Sequence, residues 1–142
     1  MKEDINALDE IHKGACMGVD AINFVIDKVD DSGFREELEK ELNNYEDTKK
    51  QVEDIYPEYN DGKPHETSTM NKAMTCSGIE MRTLTDKSDS KIAELLLQGV
   101  NMGIIEGRRI LNQKKIDNKV DEIISRYVNM QEESMETLKN YL

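Results

Sequence analysis

Apolar side chains recur along this chain at intervals of three and four residues, the spacing that places them on one face of an α-helix. Polar, turn-forming residues interrupt this pattern at about 30–33, 56–64, 85–90 and 113–117. No segment alternates apolar and polar residues over a useful length. The pattern therefore predicts an all-α protein, with long helices at about 3–30, 33–56, 90–112 and 117–141 and a connecting helix at 68–86. The residues expected to cap these helices are Ser32, Ser68, Ser90 and Asp117.

The lengths of the connections predict how the helices are arranged. Short turns join the first helix to the second and the third to the fourth, so each pair should form an antiparallel hairpin. Residues 57–89 are enough to run back along the whole bundle, so the second and third helices can be parallel. The chain has 142 residues, which supports a single domain over 1–142.

Composition narrows the classes of partner. The formal net charge is −11, which argues against nucleic acid or an anionic membrane as a partner because phosphate groups would be repelled. No apolar run approaches the roughly 18 to 20 residues that span a bilayer. Both cysteines, Cys16 and Cys76, fall inside helical patterns, which suggests reduced thiols in the cytoplasm.

Two segments carry a resemblance to a known superfamily. Leu95 to Gly99, leading to Arg109 to Leu111, resembles the third helix of small bacterial ferritin-like bundles of unknown function, and Met130 to Met135 resembles their last helix. The resemblance implies a ferritin-like four-helix bundle, made of two antiparallel hairpins with a helical crossover between the second and third helices. Active members hold two metal ions with a Glu from each of two helices and Glu-x-x-His from each of the other two.

The histidines do not complete that motif. Three residues before His12 stands Asp9, and three residues before His65 stands Gly62. We therefore expect that the two-metal site is absent, and that the chain is a non-enzymatic assembly or protein-interaction module without a cofactor. The alternative is a divergent metal-binding protein in iron handling or oxidative stress, with iron or manganese on His12 and Glu106.

Polar side chains remain on the inward faces of the predicted helices. His12, Lys49 and Glu106 are expected at one level, near Tyr127, as a buried or half-buried layer and a vestigial site. The plainer interpretation is that Lys49 reaches solvent at the bundle end and that His12 is an ordinary core histidine. A second layer, expected to be hydrogen-bonded within the core, comprises Asn23, Glu41, Gln131 and Ser134.

Small and apolar residues suggest where helices approach closely. Glycines inside helices destabilise them unless close packing offsets the cost, and they predict close contact between the first and third helices. These glycines are Gly14 and Gly18 in the first helix and Gly99, Gly103 and Gly107 in the third. The alternative is that one of the two stripes faces the connecting helix or a second subunit. Met17 and Phe24 form a second apolar stripe that either the connecting helix or a second subunit of a homodimer covers. Cys16 follows His12 by one helical turn, and we expect a small buried cysteine there and no nucleophile.

Overall fold

The computed structural model describes residues 2–64 and 86–142. These residues form four α-helices, which are α1 (Lys2–Val25), α2 (Ser32–Ile55), α3 (Asp89–Gln113) and α4 (Asn118–Leu138). Short 3-10 helices follow three of them, at Ile26–Lys28, Tyr56–Glu58 and Lys139–Tyr141. The all-α prediction is confirmed for this part of the chain, which contains no strand. The connecting helix predicted at 68–86 lies outside the described residues, except for Asp86, which is not helical.

The helix starts differ from the predicted caps by one or two residues. The Asp31 side chain caps α2, and the Ser88 side chain caps α3, each by accepting a backbone N–H from the first turn of its helix. The predicted caps Ser32 and Ser90 lie inside these helices, so those predictions are wrong. Ser68 lies outside the described residues.

Aspartates in the first turns of α1 and α3 join the two hairpins at opposite ends of the bundle. Asp89 accepts the backbone N–H groups of Asp30 and Asp31, both at 2.9 Å, from the turn between α1 and α2. At the other end, Asp4 accepts the backbone N–H of Asp117 at 2.8 Å, just before α4. Asp117 occupies the N-cap position but makes no side-chain capping bond. Helices α2 and α3 therefore begin at the same end and run parallel, as the connection lengths predict.

The core extends along the full length of the bundle because every helix presents an apolar stripe to it. Inter-helix contacts are densest within the hairpins, between α1 and α2 and between α3 and α4. At one end the rings of Phe34 and Tyr141 stack with their centroids 4.4 Å apart. The largest fully buried side chains of the whole core include Tyr56, Phe34, Leu8, Ile11, Ile22, Leu38, Ile92, Ile124 and Leu138.

Within residues 2–64 and 86–142, none of the helices combines the length and apolar character needed to cross a membrane.

Candidate functional site

An open groove of about 340 Å³ lies between α1 and α3, which belong to different hairpins. Side chains of α2 and α4 form its floor. Most of its surface is apolar, and its polar groups are few, an arrangement typical of ligand sites. The lining residues are Glu10, Ile11, Gly14, Met17, Gly18, Ala21, Ile22, Glu41, Tyr45, Leu95, Leu96, Gly99, Val100, Met102, Gly103, Glu106, Tyr127 and Gln131.

The glycines of α1 make room for two tyrosines at the floor of the groove. A Cβ atom at Gly18 would stand 2.7 Å from the ring of Tyr45. A Cβ atom at Gly14 would stand 2.8 Å from the hydroxyl oxygen of Tyr127. The glycines thus let aromatic side chains from α2 and α4 reach the wall formed by α1.

The glycines of α3 likewise meet α4 or face open space. A Cβ atom at Gly107 would stand 2.4 Å from Val128, and one at Gly103 would stand 3.2 Å from Gln131 Oε1. Among the described residues, no atom lies within 4 Å of a Cβ atom built at Gly99. Tyrosine and valine side chains of α2 and α4 occupy the space that these glycines leave. Gly14 of α1 and Gly103 of α3 both lie against the Tyr127 hydroxyl, so the two helices approach each other there through a tyrosine and not by the predicted direct packing of one glycine stripe on the other.

A buried hydrogen-bonded pair fixes the floor of the groove. Gln131 Nε2 donates to the Tyr45 hydroxyl at 2.8 Å, and that hydroxyl lies 3.3 Å from Gln131 Oε1. Burial raises the pKa of both Tyr45 and Tyr127 well above the usual value for tyrosine. These hydroxyls therefore remain neutral at physiological pH.

Glu41 is the most unusual polar residue of the groove. Its side chain is only 3% exposed, and its Oε2 atom has no hydrogen-bond partner among the described residues. Burial, followed by the adjacent Glu37 carboxylate, raises the pKa of Glu41 to about 8. Of the predicted second layer, Glu41, Gln131 and Ser134 are buried together around the floor. Asn23 is exposed, so its assignment to this layer is wrong.

The predicted layer of His12, Lys49 and Glu106 does not form. His12 is completely buried, but its partner is Glu53 of α2, whose Oε1 lies 2.9 Å from His12 Nε2. Lys49 is half-buried, with its Nζ 4.0 Å from Glu46 of the same helix. Glu106 is exposed and lines the groove. Glu53, one helical turn beyond Lys49 on α2, is the residue whose side chain reaches His12.

His12 also contacts a thiol. Its Nδ1 atom lies 3.7 Å from Cys16 Sγ, one turn further along α1. Because a carboxylate can only accept, His12 Nε2 carries the hydrogen toward Glu53. In the neutral form of the ring, Nδ1 is then the acceptor for the thiol. The ring and the thiol are both buried and neither lines the groove, so this chain of contacts satisfies polar atoms within the core. Cys76 lies outside the described residues.

Met17 and Phe24, the second apolar stripe of α1, have different surroundings. Met17 is 38% exposed and stands at the edge of the groove. Phe24 is half-buried, and the Lys28 ammonium lies 4.1 Å from its ring centroid. The connecting helix, which is one of the two elements predicted to cover this stripe, lies outside the described residues. The homodimer stays a prediction.

No group of three or more His, Cys, Asp or Glu side chains within residues 2–64 and 86–142 is arranged to hold a metal ion. His12 and Glu106, the ligands of the metal-binding alternative, lie in different surroundings, one in the core and the other on the groove. The iron or manganese site therefore stays a prediction without support from this part of the chain.

Comparison with known proteins identifies no relative: no protein-family model, curated protein or solved structure matches the chain.

The sequence patterns did not predict the groove, although the glycine stripes that line it were recognised. Gly14, Gly18, Gly99 and Gly103 all line the groove, and the same stripes predicted close helix packing. A stripe of glycine shows where side chains are missing, but it does not show whether backbone or a side chain from another helix fills the space. No pattern in α2 distinguished Glu53 from the neighbouring carboxylates.

Proposed function

We propose that this chain is a ligand-binding module built on a ferritin-like bundle, and that the groove between α1 and α3 binds an elongated apolar ligand. The observation that carries the proposal is a mainly apolar groove of about 340 Å³, which the described residues leave open between α1 and α3. Ligand sites in helical bundles commonly lie between helices in this way. The module carries out no reaction of its own.

The arrangement of the hairpins supports the ferritin-like assignment. Helices α2 and α3 run parallel, and the chain from Tyr59 to Ser88 connects opposite ends of the bundle. A four-helix bundle with one long crossover has this connectivity, whereas an up-down-up-down bundle has short connections throughout.

Exposed apolar side chains support a binding role for the groove. Met17 is 38% exposed and Met102 is 62% exposed, one on each side of the groove. Methionine side chains are flexible and adapt to ligands of irregular shape. A ligand lying in the groove would remove this apolar surface from water.

Binding of an uncharged fluorescent probe, N-phenylnaphthylamine, tests the proposal. The chain has no tryptophan, so the emission of the bound probe is easily separated from that of the protein. We expect saturable binding that Gly99→Phe removes, because the new ring would enter the groove without meeting another atom near its Cβ. Gly99→Ala is the matched control and should bind the probe nearly as well as the unchanged chain. Absence of saturable binding, or equal binding by the Gly99→Phe variant, would contradict the proposal.

A further inference from the structure

The polar groups at the two ends of the groove differ, and this difference indicates the chemistry of the ligand. Gly18 of α1 faces Tyr45 of α2, and because these helices are antiparallel, Ile22 lies at the level of Glu41. Glu41 therefore marks one end of the groove. Glu10 and Glu106 line the other end, about 18 Å away at 1.5 Å per residue along α1.

The charge of the groove has one sign. Its described lining contains carboxyl groups from Glu10, Glu41 and Glu106 and no lysine, arginine or histidine. The formal net charge of −11 adds to the negative potential. An anionic ligand such as a fatty acid would be repelled, whereas a cationic ligand would be attracted into the groove.

Glu41 supplies a second and independent observation. Its side chain is nearly completely buried, and yet Oε2 has no hydrogen-bond partner in the described part of the chain. Buried polar atoms are nearly always paired, and an unpaired one costs free energy that a ligand donor would recover. The unpaired oxygen belongs to a residue that lines the groove.

We propose that the ligand is an apolar chain that ends in a protonated amine, and that Glu41 binds its ammonium group. This inference rests on the proposed function of the groove. The ammonium donates to Oε2 of Glu41 at one end, and the apolar chain extends between Ala21 and Leu95 toward Met17 and Met102. An alkyl ammonium fits both the length of the groove and the sign of its charge.

The surroundings of Glu41 couple amine binding to a proton. Within α2, Glu37 opposes ionisation of Glu41, Lys40 favours it and Tyr45 lies close by, while from α4 the Ser134 hydroxyl favours it. Neutral pH leaves Glu41 protonated, since its pKa is about 8. The incoming ammonium stabilises the carboxylate, so the carboxyl proton leaves to solvent as the amine binds. Amine affinity should therefore rise as the pH increases toward the pKa of Glu41 and level off above it.

The test is displacement of N-phenylnaphthylamine by three probes with the same apolar chain, which are octylammonium, octanol and octanoate. At pH 8 we expect octylammonium to bind at least about tenfold more tightly than octanol, and octanoate to bind most weakly. Between about pH 6 and pH 8 the affinity for octylammonium should rise by up to about tenfold per pH unit, while that for octanol stays constant.

Two variants test whether Glu41 is the group that binds the ammonium and causes the pH dependence. Glu41→Gln should bind octylammonium no better than octanol and should lose the pH dependence, while it still binds N-phenylnaphthylamine. Glu39→Gln, which removes an exposed carboxylate of α2 that does not line the groove, should change octylammonium affinity by less than about threefold.

The outcomes separate this inference from the proposed function. Failure of the uncharged probe to bind would refute the groove as a binding site and this inference with it. If that probe binds while octanol or octanoate matches octylammonium, the groove stands and the amine assignment is refuted. The comparison of the three probes on the unchanged chain decides the matter even if the Glu41→Gln variant does not fold.

Discussion

Gly18 and Gly99 are both glycines inside helices that line the groove, but they face different neighbours. A Cβ atom at Gly18 would stand 2.7 Å from the buried Tyr45 ring, which the hydrogen bond to Gln131 holds in place. A Cβ atom at Gly99 would meet no atom of residues 2–64 and 86–142 within 4 Å. Replacing either glycine with alanine lowers the conformational freedom of the unfolded chain in the same way. The difference between the two variants therefore measures the contact with Tyr45.

Gly99→Ala should raise the free energy of unfolding by about 0.5–1 kcal/mol, which is the usual gain when alanine replaces glycine in a helix. Gly18→Ala should lower it by roughly 1 kcal/mol or more, because overpacking costs about 1–3 kcal/mol and exceeds that gain. Urea unfolding followed by circular dichroism measures both. Equal effects of the two substitutions would show that the Tyr45 ring moves aside freely.

The limits of sequence reasoning are clearest for single residues. The helical pattern correctly put His12, Glu41 and Gln131 inside the bundle, because the face of a helix follows directly from spacing. It placed Glu106 and Asn23 there as well, but both are exposed. Those residues lie near the edge of an apolar stripe, where a small rotation of the helix decides between core and solvent. The spacing along one helix does not determine that rotation.

At the scale of elements, the aspartates that join the hairpins differ in their exposure to water. Asp4 is 2% exposed and accepts the backbone N–H of Asp117. Asp89 is half-buried and accepts two, from Asp30 and Asp31, in exposed surroundings. Water can replace a hydrogen bond at an exposed site, whereas a buried group left unpaired is costly. Loss of the buried Asp4 carboxylate should therefore cost more free energy than loss of the half-buried Asp89 carboxylate.

Asp4→Ala should lower the free energy of unfolding by about 1–3 kcal/mol, and Asp89→Ala by less than about 1 kcal/mol. Both substitutions remove a negative charge from the first turn of a helix, so the loss of interaction with the helix dipole is similar in the two variants. Glu39→Ala, at an exposed site on α2, controls for the change in net charge. A larger loss for Asp89→Ala than for Asp4→Ala would contradict this argument from burial. Urea unfolding of the three variants provides the measurement.

Helix positions and connectivity followed from the sequence far better than did contacts between helices. Breaks and apolar periodicity placed the described helices to within a few residues, and short turns predicted the hairpins. Contacts such as that between His12 and Glu53 depend on how far one helix slides along its neighbour. A slide by one turn keeps every apolar stripe facing the core, so the hydrophobic pattern is nearly the same in both registers. The pairing of polar side chains between the helices, in contrast, differs between the two registers.

At the scale of the whole molecule, surface charge produces two opposing effects. The formal net charge of −11 creates repulsion that destabilises the folded chain, and salt reduces it. Salt also weakens ion pairs between helices, such as Arg108 with Glu132 at 3.0 Å and Lys119 with Glu58 at 2.9 Å. These pairs are about half exposed, and such pairs contribute about 0–1 kcal/mol each. Repulsion among the excess carboxylates involves many more charges, so it should be the larger of the two effects.

Added sodium chloride should therefore raise the free energy of unfolding, by on the order of 1 kcal/mol between low and moderate ionic strength. Thermal unfolding at a series of salt concentrations measures this change. Choline chloride is the control, because its bulky cation screens charge but is a poor substitute for a small ion that binds at a specific site. Equal stabilisation by the two salts would identify general screening as the cause, since both supply the same ionic strength. A fall in stability with either salt would instead show that the ion pairs between helices stabilise the folded chain by more than the repulsion among carboxylates destabilises it.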